Sequence, residues 1–165
     1  MWGEGKFGAA VMSSVAQLTM HSPVGEITLS EEDGAIVSLD WGRAPPEFQE
    51  ETPLLKQARD VLNRYFDGDF SEHDLPLAPP GTAFQQKVWQ AMRRIPVGQT
   101  QSYGDLAKSI GSAARAVGGA CGANPIPILI PCHRVLAAGG ALGGYSGGSG
   151  AETKHALLRL EGALP

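Results

Sequence analysis

The eight residues Asp74-Leu75-Pro76-Leu77-Ala78-Pro79-Pro80-Gly81 constrain this chain more than any other stretch. A proline fixes its own φ and has no N–H to donate, so neither a helix nor a central strand runs through three of them followed by a glycine. The 165 residues fit one domain or two small ones, and this stretch reads as a linker between two parts. We read 76–81 as a linker, 21–75 as an N-terminal part and 82–165 as a C-terminal part, with 1–20 as a leader. The leader starts Met1-Trp2-Gly3-Glu4-Gly5-Lys6, with no basic region ahead of an apolar one, so no secretory signal is expected. No stretch approaches the ~18 apolar residues of a membrane span.

Charge divides at the same place. Residues 1–79 carry 5 Lys/Arg and 14 Asp/Glu, a net of −9, while residues 80–165 carry 8 and 3, a net of +5, which gives the chain its −4. A basic half behind an acidic one is a polyanion-binding signal, although a solvated acidic face would look the same. The two cysteines cannot make a disulfide framework, and no Cys/His set has zinc-finger spacing. A reducing cytoplasm is expected. Glycine is abundant, 22 of 165, without a collagen-like period, and marks turns and close backbone approaches.

In the N-terminal part, Glu26-Ile27-Thr28-Leu29 alternates as a strand, Asp33-Gly34 is a hairpin turn, and Ala35-Ile36-Val37-Ser38-Leu39 returns. Thr52-Pro53 opens a helix carrying Leu55, Ala58, Val61, Leu62, Tyr65 and Phe66 at helical spacing, closed by Gly68. After the linker, Thr82 caps a helix with the stripe Phe84, Val88, Ala91, Met92 and Ile95. Ser102-Tyr103-Gly104-Asp105 fits a capping box for a short helix through Ile110, with Gly111 as its C-cap. Ser112 then starts Ala113-Ala114-Arg115-Ala116-Val117-Gly118-Gly119-Ala120-Cys121. Two short helices around a tight turn read as a helix-turn-helix, though an ordinary helical hairpin has the same pattern. The second helix offers Ala, Gly and one Arg. It cannot read much sequence, but its backbone can come close to a minor groove only ~6 Å wide, with Arg115 as a probe.

The chemical centre follows. Ile126-Pro127-Ile128-Leu129-Ile130 reads as a short buried strand ending at Pro131-Cys132-His133-Arg134-Val135. A Cys-His pair in a basic neighbourhood is a candidate activated thiol, although an isolated buried cysteine is more often packing. Neighbours on a strand face opposite ways, so direct Cys132–His133 contact needs a turn or a bridging water. The loop Gly139-Gly140-Ala141-Leu142-Gly143-Gly144-Tyr145-Ser146-Gly147-Gly148 lacks the Gly-Lys-Ser/Thr ending of a phosphate loop. Its N–H groups can line a pocket for a flat ring, with Tyr145 as a wall and Ser146 as a donor. Glu161 closes a last helix through Ala156, Leu157 and Leu160; it matters chemically only if folded back onto His133.

At these residues the chain resembles the O6-alkylguanine-DNA alkyltransferases (methylated-DNA–protein-cysteine methyltransferases). The resemblance runs over Phe84-Gln85-Gln86-Lys87-Val88-Trp89, Ile95-Pro96-Val97-Gly98, Ser102-Tyr103-Gly104 and Ala114-Arg115-Ala116-Val117-Gly118. It continues through Asn124-Pro125, Ile130-Pro131-Cys132-His133-Arg134-Val135 and Gly143-Gly144-Tyr145-Ser146-Gly147-Gly148 to Leu160-Glu161-Gly162. It implies an α/β protein in two parts: a small α+β N-terminal domain with a short antiparallel, ribonuclease-H-like sheet, and a mainly helical C-terminal domain with a helix-turn-helix. It implies single-turnover transfer of an alkyl group from O6-alkylguanine, with O4-alkylthymine as a further candidate, to Cys132 after base flipping. Glu161, His133 and a water would form the relay to Cys132, Asn124 the hinge, and Tyr103 the donor to the leaving guanine. Arg115 would replace the flipped base. Tyr145, Ser146 and the Val135 backbone would form the guanine pocket, and Ala116 and Pro127 would add contacts to the substrate or DNA. The implied partner is double-stranded DNA, bound through its minor groove by a monomer, with no cofactor and no metal. Two segments depart from the family pattern: Gly111-Ser112-Ala113-Ala114-Arg115 is a couple of residues shorter, and the loop after Gly148 is similarly longer. The rival readings are a DNA-binding protein that only flags alkylated bases, which would lack the acceptor cysteine, and a cysteine hydrolase, which needs an oxyanion hole.

Overall fold

Asp33 and Gly34 both have positive φ, 52° and 79°, the backbone of a two-residue hairpin turn that matches strand twist. That turn joins β2 (Ile27–Glu32) to β3 (Ala35–Trp41), and β1 (Val15–Met20) pairs antiparallel with the other side of β2. The computed structural model describes residues 15–145 and 147–164. Leu18 stands opposite Leu29, and Leu29 opposite Leu39, so one register aligns the apolar residues of all three strands. All three are buried. Helix α1 (Pro53–Phe66) covers this sheet with Leu55, Ala58, Val61, Leu62 and Tyr65. Its first turn is capped by the Thr52 hydroxyl, which accepts from the Leu55 N–H, a contact worth ~1 kcal/mol.

Two boundaries differ from the sequence expectation. The leader expected over 1–20 contains β1, because the alternation Ala16, Leu18, Met20 buries one face against β2; residues 1–14 lie outside the described residues. The linker expected over 76–81 is partly tied down. The Ile36 N–H donates to the Pro76 carbonyl, and the Ala78 N–H to the Ile36 carbonyl, so 76–78 lengthen the edge of the first unit. The compact units divide between Ala78 and Pro79.

The second unit begins with α2 (Ala83–Arg93), opened by a full capping box between Thr82 and Gln85. Its buried stripe is Val88, Trp89, Ala91 and Met92. Phe84, expected in the stripe, is 36% exposed, and Trp89 takes its place, its Nε1–H donating to the Ala120 carbonyl at 2.8 Å. Helices α3 (Tyr103–Ile110) and α4 (Ala114–Gly122) flank a turn in which Gly111 adopts the left-handed region at φ 71°. Leu106 and Ala107 of α3 and Val117 and Ala120 of α4 are buried in the second unit. Ser112 does not cap α4; Ala113 holds that position and supplies no side-chain hydrogen bond. A short parallel pair, β4 (Gln101–Ser102) with β5 (Val135–Leu136), fastens the start of α3 beside the end of the Cys-His-Arg segment. Helix α5 (Ala151–Leu160) closes the unit through Thr153, Lys154, Leu157 and Leu158. Ala156, expected on that face, is exposed. No described helix is long and apolar enough to cross a membrane.

Candidate functional site

The segment expected as a strand at 126–130 is an irregular loop instead. Pro127 removes a donor from it, and Ile128 turns to φ 74°, a left-handed conformation that costs a β-branched residue ~1–3 kcal/mol. Asn124 holds the loop closed. Its Nδ2–H donates to the Ile130 carbonyl at 2.7 Å, and its Oδ1 accepts from the Ile126 N–H at 3.0 Å. Ile126, Ile128 and Ile130 are buried all the same, which is why their apolar run imitates a strand. Pro127 is buried inside this turn and bridges Ile130, so it shapes the loop rather than facing outward.

Cys132, His133 and Arg134 form one 3-10 turn after Pro131, and all three are buried. The turn removes the opposite-face problem of two neighbours on a strand. Glu161, just past α5, is folded back onto it: His133 Nε2 lies 2.6 Å from Glu161 Oε2. Arg134 grips the same carboxylate, donating from Nε to Oε1 at 2.9 Å and from Nη2 to Oε2 at 3.0 Å, while its Nη1 donates to the Ile95 carbonyl at 2.6 Å. Among the described residues, His133 Nδ1 is buried with no hydrogen-bond partner.

Cys132 opens onto a cavity of about 510 Å³. Tyr103, the first residue of α3, forms one wall; Gly118, Cys121 and Gly122 of α4 form another; Gly144 and Tyr145 come from the glycine-dense loop. A Cβ added at Gly118 or Gly122 would meet nothing within 4 Å, so these glycines leave the cavity wide. Gly148 is required for a different reason: at φ 51° a Cβ would lie 2.6 Å from Thr153 Oγ1. Arg115 is exposed one turn before Gly118, on the same side of α4, and Ala113, Ala114 and Ala116 around it are exposed too. Ser146 lies outside the described residues.

Burial dominates the electrostatics. It pushes the Cys132 thiol above its ordinary range, opposed by the Asn124 side chain, the Lys154 ammonium and the Tyr145 phenol. Burial, and then the charge of Cys132, push Cys121 up to about 12, so the second cavity thiol stays protonated. Burial holds His133 below its ordinary range; Glu161 works against this, while Arg134 and Lys154 add to it. Tyr103 is raised by burial and then by the two sulfurs, which keeps its hydroxyl a donor. Burial raises Tyr145 as well.

Three participants carried no role in the sequence reading. Lys154 is wholly buried, its Nζ donating to the carbonyls of Val135 at 2.7 Å and Gly144 at 3.2 Å. The ammonium also lies 5.7 Å from the Tyr103 ring centroid. A lysine on the same helix face as Leu157 and Leu158 was the available signal, because a charge on an apolar face needs a partner. Arg134 was visible only as part of a motif. Cys121, placed by the sequence only at the end of a helix, contacts Met92, Sγ to Sδ 3.5 Å, and also lines the cavity.

Comparison with known proteins agrees with this geometry. The family model described as 6-O-methylguanine DNA methyltransferase, DNA binding domain, matches residues 83–163, and its companion ribonuclease-like domain matches 16–79. The methylated-DNA–protein-cysteine methyltransferase of Bacillus subtilis, a constitutive form, is 44% identical over 154 residues, covering 87% of this chain and 93% of the relative. The protein of that name from Methanosarcina acetivorans is 41% identical, with 87% and 96% covered. Among solved structures, the Mycobacterium tuberculosis O6-methylguanine methyltransferase superposes with a TM-score of 0.79 at 42% identity, covering 92% of this chain and 94% of that one. A structure of the M. tuberculosis OGT in complex with DNA gives 0.80, also at 42% identity, with 91% and 95% covered.

Proposed function

This chain belongs to the 6-O-methylguanine DNA methyltransferase family, and from that premise we propose that it repairs alkylated DNA by direct reversal, moving the alkyl group from guanine O6 to Cys132 in one irreversible step. The observation that carries the assignment is Cys132 on the wall of an open cavity with a buried His133–Glu161 pair directly behind it. Burial keeps the resting thiol protonated, so it must lose its proton as it reacts. His133, neutral and tied to Glu161, takes that proton through a bridging water. The sulfur attacks the alkyl carbon, the carbon–oxygen bond breaks, and its electron pair stays on the guanine oxygen. Tyr103 donates a proton to a ring nitrogen of the leaving base, which makes guanine a better leaving group. The product thioether is stable, so each molecule acts once.

The target carbon is hidden in stacked DNA, and the base must be flipped out at a cost of a few kcal/mol. Arg115 fills the space it leaves. The exposed tip of α4, bare of long side chains except Arg115, supports docking in the minor groove with little sequence preference. Tyr145, Ser146 and the Val135 backbone hold the flipped guanine, and Asn124 keeps the acceptor loop in register with α4. Ala116 contributes its exposed backbone to the DNA contact. The protein acts as a monomer, in a reducing cytoplasm that keeps the acceptor thiol free.

Intact-mass analysis after mixing with duplex DNA containing O6-methylguanine tests this directly. One added methyl group per protein, mapped to Cys132 and absent from Cys132→Ala, is expected. Methyl on Cys121, or several turnovers per protein, would refute the assignment.

A further inference from the structure

We propose that Arg134 is a positioning residue that sets the direction of the His133 hydrogen-bond chain: by engaging both oxygens of Glu161 as a carboxylate, it locks His133 with its hydrogen on Nε2 and leaves Nδ1 as a bare acceptor. The inference rests on the alkyl-acceptor reading of Cys132, because it says why the neighbouring histidine can act as a base at all.

The geometry requires a specific proton inventory. A guanidinium has only donors and cannot release its proton in a protein. Its fork reaches Glu161 Oε1 at 2.9 Å and Oε2 at 3.0 Å, so both oxygens accept, as an ionised carboxylate does. His133 Nε2 sits 2.6 Å from that same Oε2, and next to an acceptor it must carry the hydrogen. Nδ1 is then either bare, in a neutral ring, or protonated, in an imidazolium.

Charge counting decides between the two. Arg134 and Glu161 cancel. An imidazolium beside them would leave one uncompensated positive charge among buried side chains, which is costly. Without Arg134 the count reverses, since a buried Glu161 carboxylate and a His133 imidazolium would themselves be a neutral pair. Nδ1 would then carry a proton and could accept nothing. Arg134 therefore turns what would be an ion pair into a neutral base with one free lone pair, consistent with a buried Nδ1 that has no partner among the described residues.

The other groups facing the ring do not undo this. From α5 come Lys154, whose positive charge acts in the same sense as Arg134, and Glu161. Its own turn contributes Cys132 and Arg134. Helix α2, which also packs against the turn, has its charged Lys87 and Arg93 exposed. The Ile95 carbonyl just beyond α2 accepts the third Arg134 hydrogen bond at 2.6 Å and fixes the fork in place.

The test combines nitrogen NMR of the histidine rings with alkyl-transfer rates on O6-methylguanine duplex DNA, for wild type, Arg134→Gln and Arg134→Lys. In wild type, His133 should show the neutral Nε2–H tautomer from about pH 6 to about pH 8. A resting Nδ1–H tautomer or an imidazolium at neutral pH overturns the inference, and this reading needs no variant to fold. In Arg134→Gln, His133 should take up its second proton at a higher pH than in wild type. The ratio of its rate at about pH 8 to that at about pH 6 should exceed the wild-type ratio on the order of tenfold. Arg134→Lys keeps the charge and should return to the wild-type ratio. An unchanged ratio and tautomer in the Gln variant, or a Gln-like ratio in the Lys variant, would show that the charge at 134 is not the cause. Wild type that leaves Cys132 unmodified would instead defeat the acceptor reading, whatever the tautomer.

Discussion

A carboxylate, an imidazole and a thiol are buried together here, in Glu161, His133 and Cys132. Cys132 is held protonated by burial, and His133 is held below its ordinary range first by burial and then by the charges of Arg134 and Lys154. Glu161→Gln keeps the size of the side chain but removes the anion that orients His133. We expect the alkylation rate to fall on the order of a hundredfold, with DNA affinity retained and the Cys132 thiol titrating higher; an unchanged rate and titration would leave Glu161 a purely structural charge. Asn124 acts differently, through the backbone it clasps. Asn124→Ala leaves the Ile126 N–H and the Ile130 carbonyl without that partner, and should cost about 1–3 kcal/mol in denaturant unfolding. A loss below half of that would mean that water replaces the amide without cost.

At the scale of elements, α5 secures the acceptor turn at two points seven residues apart on one face, Lys154 and Glu161. Lys154→Met should leave the carbonyls of Val135 and Gly144 without their donor, destabilise by about 1–3 kcal/mol, and raise proteolysis in the loop 139–150. Intact loop protection in that variant would show that Lys154 does not hold the loop. Helix α4 bears the other test. Arg115 is its one long side chain at an exposed tip, so Arg115→Ala should slow repair of duplex DNA while sparing free O6-alkylguanine base, which needs no flipping. Equal slowing of both substrates would make Arg115 a support for the fold. The length of the turn before α4 was readable as unusual, but not its consequence. The structure shows a compact turn with Gly111 left-handed and Ala113 as a bare cap.

For the molecule as a whole, buried titratable groups set a pH window. An unfolded chain protonates its histidines below about pH 6.5, whereas folded His133 resists. The unfolded state then binds more protons, so stability is full above that pH and falls as pH drops toward the lower folded value. On the alkaline side Cys121 stays protonated to about 12 while an unfolded thiol ionises first, so stability also falls as pH climbs above about 9. Thermal midpoints across pH should trace this plateau. Cys121→Ala should flatten the alkaline limb and His133→Gln the acid one; parallel limbs in either variant would place the buried proton elsewhere.

The sequence by itself determined the division into two parts, the hairpin, the capped helices and the acceptor motif, because each rests on neighbours within a turn or two. Asp33-Gly34 needs only its own φ angles, and Thr52 or Thr82 only the N–H three residues on. Tertiary structure decided everything that depends on distant partners. Glu161 reads as a solvated helix end until α5 folds it against His133, 28 residues away in sequence. Lys154 carries no role until the carbonyls of Val135 and Gly144 accept from it. The run at 126–130 reads as a strand because burial selects the same apolar residues in a loop as in a sheet, and only the backbone, with Ile128 left-handed and the loop clasped by the Asn124 side chain, tells them apart. Burial is also what moves the thiol and imidazole away from their ordinary protonation, and no local pattern reports how much water a side chain loses.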